Sequence, residues 1–166
     1  MSKILVGVVG PGDGAGAEET AAAFELGRLV AREGWVLVSG GRDAGVMDAA
    51  SRGAKEAGGL TVGILPTTDA QGVSEAVDIA ILTGMGQARN NVNILSSRIV
   101  FACGMGAGTA SEIALALKAR KQVILLHAGD EAEAFFNSLG RERVHVAMSP
   151  HEALTIARRF IDGRSI

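Results

Sequence analysis

Short apolar runs alternate with longer segments of helical periodicity along most of the chain. The apolar runs are rich in Val, Ile and Leu and predict buried strands at 3–9, 35–41, 60–66, 77–82, 98–103, 122–126 and 144–147. The segments between them predict helices at 17–34, 45–59, 88–97, 131–139 and 150–161, with a further helix directly after 104–109. Strands that are apolar throughout and separated by helices predict an α/β fold. We expect a doubly wound, mainly parallel, Rossmann-like sheet of about seven strands, covered by helices on both faces.

Two helix starts carry the same polar spacing. Ser149, Pro150 and Glu152 occupy the positions expected for the N-cap, first and third residues of the last helix. Thr109 and Glu112 repeat the three-residue spacing of a capping box, which predicts that the Glu112 carboxylate accepts the Thr109 amide proton. On that interpretation Glu112 is structural. On the other interpretation, the free N–H groups of 106–109 surround an anion.

The composition narrows the classes of partner. The 166 residues suit one domain, 1–166, without a linker or repeat. A net charge of −2, with five Phe, one Trp and no Tyr, does not favour binding of nucleic acid. No apolar run approaches the ~20 residues that span a bilayer, and a single cysteine fits a reducing compartment. We therefore expect a cytoplasmic protein that binds neither nucleic acid nor membrane.

Ligands of doubly wound folds bind beyond the carboxyl ends of the strands. That rule selects the loops 10–16, 39–45, 83–89 and 104–109. Their glycines permit a ligand to approach the backbone, and Arg42 offers a planar donor fork for an oxyanion. The amides that follow Arg89 add donors and acceptors. The predicted ligand-binding residues are Gly10, Gly12, Ser39, Gly40, Gly41, Arg42, Met47, Arg89, Asn90, Asn93, Gly104, Met105, Gly106, Gly108, Thr109 and Glu112.

Other common sites lack their characteristic residues. A site for NAD needs an acidic residue at the end of the second strand, where this chain has Ser39. The three histidines are scattered, without cysteines or carboxylates at metal-ligand spacing. Cys103 ends a buried strand and is expected in the core. We therefore predict no metal bound directly by protein side chains.

Two of the loops resemble motifs of the lysine decarboxylase-like proteins, a group that includes the Lonely Guy phosphoribohydrolases. "GGRDAGVM" resembles their GGGxxGLM motif, and "GMGAGTASE" resembles PGGxGTxxE. The second motif matches at Gly106, Gly108, Thr109 and Glu112 and departs at Gly104 and Met105, where the family has Pro and Gly. The first departs at Arg42, where the family has a third glycine. Of the Arg-Lys pair found in the hydrolases, Arg89 matches the arginine, whereas Asn90 replaces the lysine.

A closer resemblance extends from about residue 4 to residue 160. The stretches "GRDAGVM", "GAKEAGG", "ARNNVNILSS", "GMGAGTASEIALALKARK" and "HVA" are similar to the molybdenum cofactor carrier proteins of green algae and bacteria. This resemblance implies a subunit that binds and protects the molybdenum cofactor and delivers it to molybdoenzymes such as nitrate reductase. It also implies a homo-oligomer, either a dimer or a tetramer.

The sequence therefore leaves two hypotheses about the function. As a carrier, the protein binds the cofactor or a phosphate-like anion without turnover, which explains the departures at Arg42, Asn90 and Met105. As a hydrolase, it releases the free base and ribose 5-phosphate from a nucleoside 5′-monophosphate. Glu112 and Arg89 would then be catalytic, because Glu112 would act on the ribose and Arg89 would orient the substrate. The replacement of lysine by Asn90 favours the carrier.

Overall fold

The alternation of apolar strands and helices produces one parallel sheet. In the computed structural model, which describes residues 2–163, the strands are β1 (Leu5–Val9), β2 (Val36–Ser39), β3 (Thr61–Leu65), β4 (Ile79–Leu82), β5 (Val100–Cys103), β6 (Val123–Leu126) and β7 (Val144–Val146). The helices are α1 (Ala17–Arg32), α2 (Gly45–Glu56), α3 (Arg89–Ser96), α4 (Ala107–Lys118), α5 (Asp130–Gly140) and α6 (Pro150–Ile161). The strand order is β4-β3-β2-β1-β5-β6-β7, and each neighbouring pair is parallel. The predicted doubly wound fold is confirmed.

Helices cover both faces of the central strands. One core is formed by α1, α2 and α6 against side chains such as Val6, Leu37 and Phe101. The other is formed by α3, α4 and α5 against Val9, Val100 and Leu125. Burial of each such side chain contributes roughly 1.5–3 kcal/mol to folding, and the two cores together hold the sheet between two helical layers.

The packing of α1 on α2 depends on small residues. A Cβ atom at Gly27 would collide with the Ala50 carbonyl, and one at Gly53 would collide with the Phe24 carbonyl. The small residues of α2 therefore contact α1 of the same subunit. This contact holds α1 and α2 close together on one face of the sheet.

The edge strand β4 departs from the prediction of a sheet covered on both faces. Ile79, Ile81 and Leu82 are 46%, 43% and 43% exposed, although their pattern is that of a buried strand. The reason lies in the connections. The segment 66–78, between β3 and β4, contains no helix, and the eight-residue α3 packs against β1, β2 and β3. Neither connection covers β4.

The strand order of the sheet reverses between β1 and β5. From β1 the chain proceeds to β2, β3 and β4 on one side, whereas β5, β6 and β7 lie on the other. The loops at the carboxyl ends of β1 and β5 therefore diverge and leave a crevice between them, which is where doubly wound folds bind ligands.

Candidate functional site

The crevice at this switch point contains a cavity of ≈ 300 Å³. Its walls come from the loop after β1, the loop after β2, the start of α3 and the first turns of α4. The residues that line it are Val8, Val9, Gly10, Pro11, Gly12, Asp13, Gly40, Arg42, Met47, Arg89, Asn90, Gly106, Ala107, Gly108, Thr109 and Glu112. Its volume lies at the lower end of the range of small-molecule sites.

The N-terminus of α4 opens into the cavity without a side-chain cap. The helix begins at Ala107, with Gly106 as its N-cap, and no acidic residue lies in its first turn. By contrast, α1, α2, α5 and α6 each carry at least one acidic residue there. Free N–H groups and the positive end of the helix dipole favour an anion at such a terminus.

The capping box predicted at Thr109 and Glu112 is wrong. Because α4 starts at Ala107, Thr109 is already its third helical residue rather than its cap. The Glu112 carboxylate does not bind the Thr109 amide but accepts a long hydrogen bond from Asn93 Nδ2 (3.5 Å). The glycine N-cap of α4 has no side chain that would mark it in the sequence, so the spacing of Thr109 and Glu112 predicted the wrong N-cap.

The N-terminus of α2 is closed by protein atoms. The Val46 N–H donates to the Pro11 carbonyl (3.0 Å). Gly45 has a φ of 49°, and a side chain there would collide with the carbonyl groups of Pro11 and Gly12. The loop after β1 therefore covers this helix terminus, which is not open to an anion.

Arg42 lies on a loop that is held by its neighbours. The Asp43 N–H donates to the Gly72 carbonyl (2.8 Å), and the Ser74 N–H donates to the Gly41 carbonyl (2.9 Å). Arg42 itself forms an isolated antiparallel bridge with Val73. The segment 66–78 thus positions the backbone of Arg42, whose exposed side chain lines the cavity.

Arg89 crosses the loop after β2 to reach its position. Its Nη1 donates to the Ile64 carbonyl (2.8 Å). Its guanidinium occupies the space that a side chain at Gly40 would need, next to the Met47 sulfur. Desolvation lowers the pKa of Arg89, but the group remains a cation at neutral pH. The absence of a side chain at Gly40 therefore makes room for the Arg89 guanidinium, which fills that space.

Glu112 lies buried beside Arg89 and Asn93. Burial raises the pKa of its carboxyl to about 7, although the charge of Arg89 and the hydrogen bond from Asn93 oppose the shift. In the described part of the chain, no direct ion pair joins Arg89 to Glu112. Glu112 is therefore a carboxyl that exchanges its proton near neutrality.

Three buried side-chain atoms among residues 2–163 lack any hydrogen-bond partner, and all three belong to neighbours of Glu112. They are Arg89 Nε, Asn93 Oδ1 and Thr109 Oγ1. Buried polar groups are rarely left unpaired, and each exception calls for an explanation. Arg89 and Thr109 line the cavity, whereas Asn93 lies behind Glu112, so the atoms that the protein leaves unpaired cluster at one end of the cavity.

The structure brings together most of the predicted ligand-binding residues. Those that line the cavity are Gly10, Gly12, Gly40, Arg42, Met47, Arg89, Asn90, Gly106, Gly108, Thr109 and Glu112. Those that do not are Ser39, Gly41, Asn93, Gly104 and Met105. The sequence missed Val8, Val9, Pro11, Asp13 and Ala107, which adjoin predicted positions; of these only Asp13 has an ionisable side chain.

The five residues outside the lining have other roles. The Ser39 hydroxyl accepts the Gly41 N–H (3.1 Å), which shapes the turn. Gly104 has a φ of 78° and faces the Glu19 carboxylate. Met105 packs against the core beneath α4. Asn93 contacts Glu112 from behind.

Other chemistries find no site in the described chain. No three His, Cys, Asp or Glu side chains among residues 2–163 converge as metal ligands. Burial raises the pKa of the Cys103 thiol to about 12, so it is not a nucleophile at neutral pH. None of the helices that the structure describes combines the length and apolarity needed to cross a membrane.

Comparison with known proteins gives consistent results. The sequence matches the SLOG cluster4 family over residues 3–154. A molybdenum cofactor binding protein from the phototrophic bacterium Rippkaea orientalis is 51% identical, with a TM-score of 0.95 over 97% of this chain and 99% of that one. The Moco carrier protein of Chlamydomonas reinhardtii is 48% identical, with a TM-score of 0.93 over 98% and 100%. An uncharacterised protein from Archaeoglobus fulgidus is 43% identical over 76% of this chain and 82% of its own length.

Proposed function

The chain belongs to the SLOG cluster4 family, and from that premise we propose that it binds the molybdenum cofactor, shields it and delivers it to molybdoenzymes. The observation that carries this proposal is the cavity at the switch point. It combines an open helix N-terminus with buried polar groups that lack partners. The relatives that are about half identical over nearly the whole chain bind or carry this cofactor.

The residues present fit the chemistry of this cargo. The cofactor is a pterin with a dithiolene-bound molybdenum oxo centre and a terminal phosphate. The first turn of α4 and Arg42 offer donors to oxyanions. Met47 borders the cavity and offers an adaptable apolar side chain to a flat ring system. The dithiolene supplies sulfur to the metal, so a protein cysteine is not needed, in agreement with the buried thiol of Cys103.

A second candidate function rests on Glu112. A carboxyl with a pKa of about 7 is suited to general acid–base catalysis, and the hydrolase hypothesis assigns that role to this residue. Arg89 is nearby, but Asn90 lines the cavity where the resemblance implies a lysine. Asn90 lacks the amino group of the lysine found in the hydrolases, so we favour binding without turnover.

One paired experiment tests the proposal. Purified protein is loaded with molybdenum cofactor and mixed with cofactor-free nitrate reductase, and the restored activity is measured over time. In parallel, free base and ribose 5-phosphate are measured after incubation with a panel of nucleoside 5′-monophosphates. We expect protection and transfer of the cofactor without base release. Base release at enzymatic rates, abolished in Glu112→Gln and accompanied by no protection, would establish the hydrolase instead.

We also propose that copies of the chain associate through β4 in the cytoplasm. Contiguous exposed apolar residues mark protein interfaces, and β4 exposes Ile79, Ile81 and Leu82. Sedimentation should show a dimer or tetramer that Ile81→Lys dissociates. Leu139→Lys, at an exposed position on α5, serves as the matched control and should leave the mass unchanged. An Ile81→Lys protein of unchanged mass would exclude β4 as the interface.

A further inference from the structure

The cavity has two chemical poles at different depths along α4. The first pole is the open N-terminus at Gly106–Thr109, which favours negative charge. The second is the buried carboxyl of Glu112, five residues beyond Ala107. At a rise of about 1.5 Å per residue, the Cα of Glu112 lies roughly 7–8 Å beyond that of Ala107 along the helix axis. A cavity that offers anion donors on one turn and a carboxyl on the next suits a ligand with two different ends.

The groups around Glu112 define what the inner end of that ligand presents. A carboxylate accepts hydrogen bonds at two oxygens, whereas the Arg89 guanidinium only donates. The Arg89 guanidinium is already bound to Ile64 on one side and has an unpaired Nε. A ligand edge that complements this pair therefore carries two adjacent N–H donors beside one carbonyl acceptor.

The amino-pyrimidinone edge of a pterin has this pattern. Its exocyclic amino group and ring N–H are adjacent donors, and its carbonyl oxygen lies next to them. In the molybdenum cofactor, the phosphate and the molybdenum oxo groups lie at the opposite end of the molecule. The two ends therefore match the two poles of the cavity.

We propose that Glu112 accepts hydrogen bonds from the amino-pyrimidinone edge of the pterin, so that the cofactor binds with its oxyanions at the N-terminus of α4. This assignment rests on the proposed function, and it makes Glu112 a specificity-determining residue. The Arg89 guanidinium donates to the ring carbonyl. Asn93 holds the carboxylate from behind through its 3.5 Å hydrogen bond.

The burial of Glu112 supports the assignment. Removing a carboxylate from water without full compensation is costly, and the surroundings of Glu112 supply only one weak hydrogen bond. Two N–H donors from a ligand would favour the ionised form. Ligand binding at neutral pH should therefore release a proton, whereas a ligand that presented acceptors to Glu112 would take one up. The charged groups that face or border this carboxyl in the described chain are Arg89 on α3 and Arg42 and Asp13 on the cavity rim.

Pteridine pairs that differ at one group test the assignment. 6-Carboxypterin has the amino group, whereas 6-carboxylumazine has an oxo group at the same position, and both carry a carboxylate at the far end. We expect the wild-type protein to bind 6-carboxypterin at least about 10-fold more tightly, because hydrogen bonds to a charged group are the stronger kind. Glu112→Gln should reduce this preference to less than about 3-fold and abolish proton release in calorimetry. Glu152→Gln, a carboxylate on α6 outside the cavity, should preserve both.

The outcomes separate this inference from the function on which it rests. Retention of molybdenum cofactor by the wild-type protein, with equal affinity for the two pteridines or with no affinity for either, would overturn the assignment of Glu112 alone. A preference that survives in Glu112→Gln would do the same. Failure to retain the cofactor would overturn the proposed function. Guanine presents the same edge as pterin, so a preference for GMP over IMP without cofactor retention would reassign the site to guanine nucleotides.

Discussion

The helices α4 and α6 begin with similar sequences, but the polar residues at the two starts form different contacts. Each sequence has a hydroxyl residue followed three positions later by glutamate, at Thr109 and Glu112 and at Ser149 and Glu152. In α6 the Glu152 N–H donates to Ser149 Oγ (3.2 Å), and the Met148 N–H donates to Glu152 Oε2 (2.8 Å). In α4 neither bond forms, and the Thr109 hydroxyl has no partner.

The difference shows that a helix start serves either the fold or a ligand. The first turn of α6 satisfies its own donors and contributes to stability. The first turn of α4 leaves its donors facing a cavity, and its glutamate is buried at a cost. Substitutions in the two helix starts should therefore have different effects on stability and on ligand binding.

Replacing Glu112 should stabilise the protein at high pH. The pKa of Glu112 is about 7 in the folded protein, against a reference of 4.5. A raised carboxyl pKa means that stability is retained below pH 4.5 and lost as pH rises through 7. The loss reaches about 3 kcal/mol above pH 7, at 1.36 kcal/mol per unit. Glu112→Gln lacks this loss, so urea unfolding should show a gain of about 3 kcal/mol at pH 8 and almost none at pH 4.5.

The matched change in α6 should behave differently. Glu152 is exposed and serves as a cap, and Gln retains an acceptor for the Met148 N–H. Glu152→Gln should therefore lower the free energy of unfolding by only about 0.3–1 kcal/mol at pH 8. A Glu112→Gln protein that is less stable than wild type at pH 8 would show that the carboxylate is fully compensated.

An acidic residue in the first turn of α4 should repel the ligand. Nothing lies within 4 Å of a Cβ atom at Gly108, so a side chain there fits without displacing the backbone. Gly108→Asp should weaken binding of inorganic phosphate and of the molybdenum cofactor about 10- to 100-fold through like-charge repulsion. The neutral isostere Gly108→Asn is the control and should lose much less. Equal losses in the two variants would indicate obstruction rather than charge.

Removing the hydroxyl of Ser149 and that of Thr109 should change the free energy of unfolding in different ways. Ser149→Ala deletes a formed cap and should lower the free energy of unfolding by about 1 kcal/mol. Thr109→Val preserves the shape and deletes an unpaired buried hydroxyl, so it should leave stability unchanged or raise it by up to about 1 kcal/mol. Thermal unfolding of both variants measures the contrast. A loss of more than about 1 kcal/mol in Thr109→Val would place a hydrogen bond on that hydroxyl.

Periodicity and caps predicted the elements, because both are local properties. The seven strands, their parallel arrangement and the start of α6 at Ser149 agree with the sequence-based expectations. The exposure of β4 could not be predicted, since an apolar run does not reveal whether any connection covers it. The true start of α4 was also hidden, because Gly106 caps the helix without a side chain.

The candidate site was predicted in outline but not in its inner part. Loops at the carboxyl ends of parallel strands converge by topology, so glycines such as Gly10 and Gly106 could be assigned in advance. The contact between Asn93 and Glu112 joins α3 to α4, and no spacing rule links positions that far apart. The closure of α2 by Pro11 and Gly12 likewise depends on how two loops meet.

The contact between Gly40 and Arg89 has an evolutionary consequence. The Arg89 guanidinium occupies the volume of any side chain at position 40. A lineage that acquires even alanine at Gly40 must displace both the arginine and the Met47 sulfur, whereas a lineage that first loses the arginine leaves only the flexible Met47 side chain in the way. The two positions should therefore covary among homologues, with glycine persisting wherever the arginine is retained.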